Sequence, residues 1–166
     1  MNNLEYSYIN DDTSFINRII KIDSEHKFFL DLIKEFDKNK YFICKSYYDY
    51  CNVDFVILEL QTFKNIYIEH KSRTNYYSFP TFLIGKVKLD KINENYKDCY
   101  LIFHFNDGLF FTKFKEDLLK CNITNVYNPK KKRSDLCYEL PKSNFKVGFL
   151  ELINDIKEDL KPYDCK

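Results

Sequence analysis

Asp54, Glu69 and Lys71 fall in two short apolar runs, Val53 to Leu60 (VDFVILEL) and Ile66 to Lys71 (IYIEHK), joined by the turn-like segment 61–65. Both runs read as strands, and the short link makes them an antiparallel hairpin. Side chains alternate faces along a strand, so Glu69 and Lys71 point the same way, about 6.6 Å apart along the chain. A hairpin folded near Thr62 brings Asp54 opposite one of them. Two carboxylates and an ammonium then meet at one end of a sheet, although aspartate is depleted in strands. Hard divalent cations take carboxylate oxygens and keep several waters. The chemistry this trio suits is a Mg2+ site, with Mn2+ as substitute, held by Asp54, Glu69 and the backbone carbonyl of His70. A cation there acidifies water and polarises a phosphate. Lys71 beside it would hold or deprotonate the water and offset charge in the transition state.

The chain contains its own control for this argument. Glu-x-Lys occurs twice, at Glu25-His26-Lys27 and at Glu69-His70-Lys71. The first copy lies in a helical pattern, where residues two apart point about 200° from each other. Only the second copy can build a joint site, and it follows Asp54 on the hairpin.

The elements that must position these residues follow from the period of the apolar pattern. A helix begins at Ser24, whose hydroxyl can cap free N–H groups. Its apolar positions Phe28, Phe29, Leu32, Ile33 and Phe36 repeat at helical spacing, and Asn39 suits its stop. Tyr41–Cys44 reads as a strand before the hairpin. Residues 81–94 (TFLIGKVKLDKINE) read as a second amphipathic helix, with Gly85 weakening it. Tyr100–Phe105 and Leu109–Phe114 flank Asn106-Asp107-Gly108, a hairpin signal. Residues 116–120 suit a helical turn, 121–135 a polar loop, Leu136–Leu140 an edge strand, and 147–160 a closing helix. The fold class is α/β, a mixed α+β arrangement around one sheet.

Asn52-Val53-Asp54 and Ile68-Glu69-His70-Lys71, in the order helix, three strands, helix, strand, resemble the PD-(D/E)xK nuclease superfamily. The resemblance spans residues 24–105, and Val53 stands where the pattern's Pro would. It implies the restriction-endonuclease-like fold: a central mixed sheet with an antiparallel hairpin carrying the site and helices on both faces. It implies metal-dependent hydrolysis of nucleic-acid phosphodiester bonds, of DNA in preference to RNA, and endonucleolytic rather than exonucleolytic. It also implies an added ligand from the first helix. Glu25, on the apolar face with Phe29, Leu32 and Phe36, is that candidate. The alternative is a catalytically inactive nucleic-acid-binding or protein-interaction module on the same fold.

Composition bounds the rest. With 166 residues the chain reads as one domain, with a core at 24–115 and residues 1–22 and 116–166 as additions. Alanine is absent and Trp is 0, while 16 Phe and 14 Tyr carry the burial. A formal net charge of +1 gives no global field for nucleic acid. Contact with phosphate must come from local patches, for which Arg73, Lys86, Lys88, Lys130, Lys131, Lys132 and Arg133 are the candidates. The six cysteines form no C-x-x-C and have no His partner at zinc-finger spacing. His70, between the two motif residues, should face away from them, as should Glu59, whose parity differs from that of Asp54. His26, Cys51 and the polar run after Lys71 are weaker candidates, read most simply as solvated or packing residues. No apolar run approaches a membrane span, and the first residues carry no secretory pattern. The expectation is an intracellular protein that partners nucleic acid and no membrane, with a homodimer as a further expected partnership.

Overall fold

The structure is a computed structural model and describes residues 24–46, 51–73, 80–128 and 132–161. Helix α1 covers 24–34. It leads into a meander of β1 (Tyr41–Lys45), β2 (Phe55–Glu59) and β3 (Asn65–Ser72), all antiparallel. Strand β4 (Thr81–Gly85) and helix α2 (Lys86–Asn95) follow, and β5 (Cys99–Phe105) returns parallel to β3. Next come β6 (Gly108–Lys113), β7 (Ile123–Asn128), β8 (Arg133–Pro141), the short β9 (Lys146–Val147) and α3 (Phe149–Leu160). One sheet has six strands in the order β1-β2-β3-β5-β6-β9, and a second has three in the order β4-β8-β7. The protein is mixed α+β. No helix among the described residues is long and apolar enough to cross a membrane.

Strand alternation sorts the large sheet's side chains into two cores. Phe55, Ile57, Ile66, Ile68, Tyr100, Ile102 and Phe111 face one way and pack under Phe28, Leu32 and Phe36 and under Leu152, Ile153, Ile156 and Leu160 of α3. Leu101, Phe103, Phe105 and Phe110 face the other way, against Leu89 and Ile92 of α2 and Phe82, Ile84, Tyr138 and Leu140 of the small sheet. Residues 116–161, expected as an addition, thus supply wall to both cores. Lacking alanine, the chain fills these layers with rings; Phe82 stacks on Phe103 with centroids 4.7 Å apart.

Two expected elements differ. Residues 81–94 do not form one helix. Phe82 and Ile84 are buried while Thr81 and Leu83 are not, a period-two pattern, and the helix begins only after Gly85. The segment 121–135 is not a loop, because Ile123–Asn128 pairs with β8 from Ile123↔Tyr138 to Asn128↔Arg133. Strand β8 is accordingly nine residues long and central in its sheet, not an edge strand. The Asn106-Asp107 turn and the β5–β6 hairpin stand where expected, with Phe105 opposite Gly108.

Candidate functional site

The site is built at the end of the β2–β3 ladder. Phe55 is the register partner of Ile68. The N–H of Asp54 nevertheless also reaches Ile68 O, at 2.7 Å, so the ladder slips by a residue as at a β-bulge. The Asp54 carbonyl accepts the Ser46 N–H at 2.8 Å, which ties its backbone between two strands. Its carboxylate Oδ2 accepts the His70 N–H at 2.7 Å. The side chain thus takes the ladder position a backbone carbonyl would fill. Even-numbered β3 residues turn their peptide groups toward β2, as these bonds show, whereas Tyr67 and Arg73 bond toward β5. By that alternation the His70 carbonyl is directed to the Asp54 side, beyond the end of β2.

Glu69 lies beside Asp54 and is only 2% exposed. Burial, and then the Glu69 charge, push the Asp54 carboxyl up from 3.8 to about 6, against the opposing pull of Lys88 and the His70 N–H. Two cations meet one oxygen of Glu69: Lys71 Nζ is 3.2 Å and Lys88 Nζ 2.5 Å from Oε1. The other oxygen, Oε2, is buried and accepts no hydrogen bond among the described residues. Burial lowers the pKa of Lys71, with Glu69 opposing it.

A groove of about 780 Å3 opens from this point between α2 and the β7–β8 hairpin. Lys71, Arg73, Lys86, Lys88, Lys91 and Arg133 line it, with Asp135 as its acid. A chain of net charge +1 thus gathers six of its 26 Lys and Arg around one groove. Arg73, Lys86, Lys88 and Arg133 were expected to contact phosphate, and they gather here. Lys86 is held by Asp90 at 2.5 Å, which also accepts the Tyr138 hydroxyl at 2.9 Å. Arg133 pairs with Asp135 at 3.1 Å. Lys132 occupies the β7–β8 turn at φ 50°, outside the groove wall. Lys130 and Lys131 lie outside the described residues. Lys91 was not anticipated; its signal was the i, i+3 spacing from Lys88 on one helix.

The Glu25, Glu59 and His26 side chains and the His70 ring are not brought to the site. The Glu25 carboxylate is 3.5 Å from Lys45. Helix α1 packs on the sheet face carrying Phe55 and Ile68, opposite the face of Glu69, because Phe28 stacks on the His70 ring with centroids 4.5 Å apart. The His70 ring belongs to that layer, so only its backbone belongs to the site. Glu59 faces away too, and its Oε2 accepts the Thr62 hydroxyl at 2.6 Å and the Gln61 N–H at 3.1 Å. Cys51 lines the groove, and His26 is exposed on α1.

Among the described residues no three His, Cys, Asp or Glu side chains form a metal-binding group. The donors present are two carboxylates and a carbonyl. An anionic oxygen buried without a donor, beside a second acid whose ionisation it opposes, is a donor set that a divalent cation would satisfy. Compared with protein-family models and with curated proteins, the chain matches none.

Proposed function

We propose that the protein is a metal-dependent nuclease that hydrolyses phosphodiester bonds of nucleic acid, DNA in preference to RNA, and cuts within strands. The observation that carries this reading is the Asp54–Glu69 pair with a buried unsatisfied oxygen, joined through Lys71 and Lys88 to a groove that these two lysines and four further cations line. The chain order agrees with it. A helix, an antiparallel three-strand meander, α2 and a strand parallel to β3 follow the order of the restriction-endonuclease-like fold that the sequence resembles, with β4 interposed before α2, and this supports the reading.

Asp54, Glu69 and the His70 carbonyl would hold Mg2+ or Mn2+, which supplies Lewis acidity toward a phosphate and acidifies water. The chain's own residues do the rest. Arg73, Lys86, Lys91 and Arg133 take the phosphate backbone and set its register along the groove. Lys71, with its Nζ 3.2 Å from Glu69 Oε1 and its pKa lowered by burial, would act on the attacking water. As an amine it accepts the water's proton, and as an ammonium it offsets charge on the phosphoryl oxygens. The buried walls of β3 and β5 limit the water that reaches Glu69.

A second reading, binding without cleavage, is favoured by one observation: Glu69 already has Lys71 and Lys88 on one oxygen, so its charge is balanced without a metal. Lys71→Met separates the two. It keeps the stem and both carboxylates, so Mn2+ should still bind in calorimetry. Nicking of supercoiled and branched DNA should fall roughly 10²–10⁴-fold, the usual contribution of a positioned proton acceptor. A variant that cuts as fast as wild type removes Lys71 from the mechanism. A wild type that binds DNA and never cuts it with Mg2+ or Mn2+ establishes the binding module.

A further inference from the structure

Lys88 comes from α2, not from the hairpin, yet it makes the closest ion pair with Glu69, at 2.5 Å. Glu69 thereby holds two ammonium groups on Oε1, and the Arg73 guanidinium is also close enough to feel its charge. A divalent cation entering between Asp54 and Glu69 would bring two further positive charges against two carboxylates. That excess is unstable in a buried place until a phosphate arrives or a lysine leaves. The two lysines differ in their freedom to leave. Lys71 rises from β3 two residues from Glu69 and is 19% exposed. Lys88 is 28% exposed and reaches in from the first turn of α2, with Lys86 and Lys91 beside it on the open groove wall.

Resting on the nuclease reading, we propose that Lys88 is a resident stand-in for the divalent cation. It neutralises Glu69 in the metal-free protein and is released into the groove when the cation binds, to meet a phosphate of the nucleic acid. The same ammonium then serves two states. It keeps the buried acid from standing unpaired before metal arrives, and afterwards it adds to the groove's positive wall.

The test is calorimetric Mn2+ titration of wild type, Lys88→Met and Lys97→Met, the last removing an equal charge at the far end of β5. Release of a competing cation predicts Mn2+ binding roughly tenfold tighter in Lys88→Met, the scale on which one neighbouring charge moves an ionic equilibrium. Lys97→Met should match wild type. DNA binding by Lys88→Met with Mn2+ bound should weaken and lose about one phosphate from its salt dependence. Mn2+ affinity unchanged or weakened in Lys88→Met, with wild type binding Mn2+ normally, overturns the proposal and leaves the nuclease reading intact. A wild type that binds no Mn2+ overturns both. Should Lys88→Met fold poorly, lysine side-chain NMR of wild type decides instead. The ion-paired Lys88 ammonium signal should vanish on saturation with Mg2+ while that of Lys71 persists, and a Lys88 signal that survives saturation refutes release.

Discussion

Asp54→Asn removes a charge and almost nothing else. The amide oxygen can still accept the His70 N–H that Asp54 Oδ2 takes at 2.7 Å, and the backbone bonds to Ile68 and Ser46 are untouched. What disappears is the conflict with burial and with Glu69 that lifts the carboxyl from 3.8 to about 6. The sign follows from linkage. Between those values the unfolded chain gives up its proton first, so the folded state binds more protons and stability falls as pH rises. The stabilisation of the protonated form is complete below about pH 4 and lost above about pH 6. At about 1.4 kcal/mol per pH unit, the ionised side chain costs the metal-free protein roughly 3 kcal/mol at neutral pH. In EDTA at about pH 7.5, Asp54→Asn should therefore be the more stable protein, by roughly 2–3 kcal/mol, or about 4–12 °C in Tm for a chain of this size. At about pH 4 the advantage should vanish. Mg2+ should reverse the order by stabilising wild type alone. Urea denaturation followed by tyrosine fluorescence suits a protein with 14 Tyr and no Trp. A variant no more stable than wild type at neutral pH in EDTA would show that Lys88 and the His70 N–H fully compensate Asp54, and the argument for a poised carboxylate pair would fail.

Three further outcomes are expected. Glu59→Gln should flatten the acid limb of stability: the Thr62 hydroxyl and N–H hold the Glu59 pKa below its ordinary value, so wild type keeps their support at neutral pH and loses it as pH falls through that lowered value, which acid titration of unfolding reads directly. Gly148→Ala should cost about 1–3 kcal/mol in chemical denaturation, because φ is 113° before α3 while nothing lies within 4 Å of the added Cβ; strain alone is responsible, so Gly148→Ser should cost the same. Phe28→Ala should cost about 3–5 kcal/mol by deleting a buried ring that stacks on His70 and packs on Phe55, and a loss below about 1 kcal/mol would mean that α1 is not seated on the sheet.

The hairpin and its three polar residues were legible because their relations are local. Alternation put Glu69 and Lys71 on one face, and a turn near Thr62 put Asp54 beside them, where its carboxylate accepts the His70 N–H. Phe82 and Leu89 fit a helical stripe as well as they fit a strand followed by a helix, and only Gly85 marked the change of period. Ile123–Asn128 was hidden by Asn125 and Asn128, polar residues whose strand is held by pairing to β8 rather than by its own pattern. The apolar face of α1 was readable, but which face of the sheet it would cover was not, and Glu25 went to Lys45 for that reason. Lys88 was readable as a groove cation, whereas its contact with Glu69 depends on how α2 docks, a tertiary fact without a local signature.

The way α2 is seated also orders events in time. Asp54 and His70 close their hydrogen bond across 16 residues, within a hairpin that needs little chain to form. Helix α2 is fixed by contacts such as Tyr138 to Asp90, 48 residues apart. Loop-closure entropy and contact order favour the first association and delay the second. The two acids are thus brought together with Lys71 before Lys88 arrives. Ile66→Val should slow refolding in stopped-flow experiments, whereas Ile92→Val should chiefly hasten unfolding. On this order of assembly, the carboxylate pair forms while still open to water, and the cost of burying it falls due in the same step that brings Lys88 to Glu69.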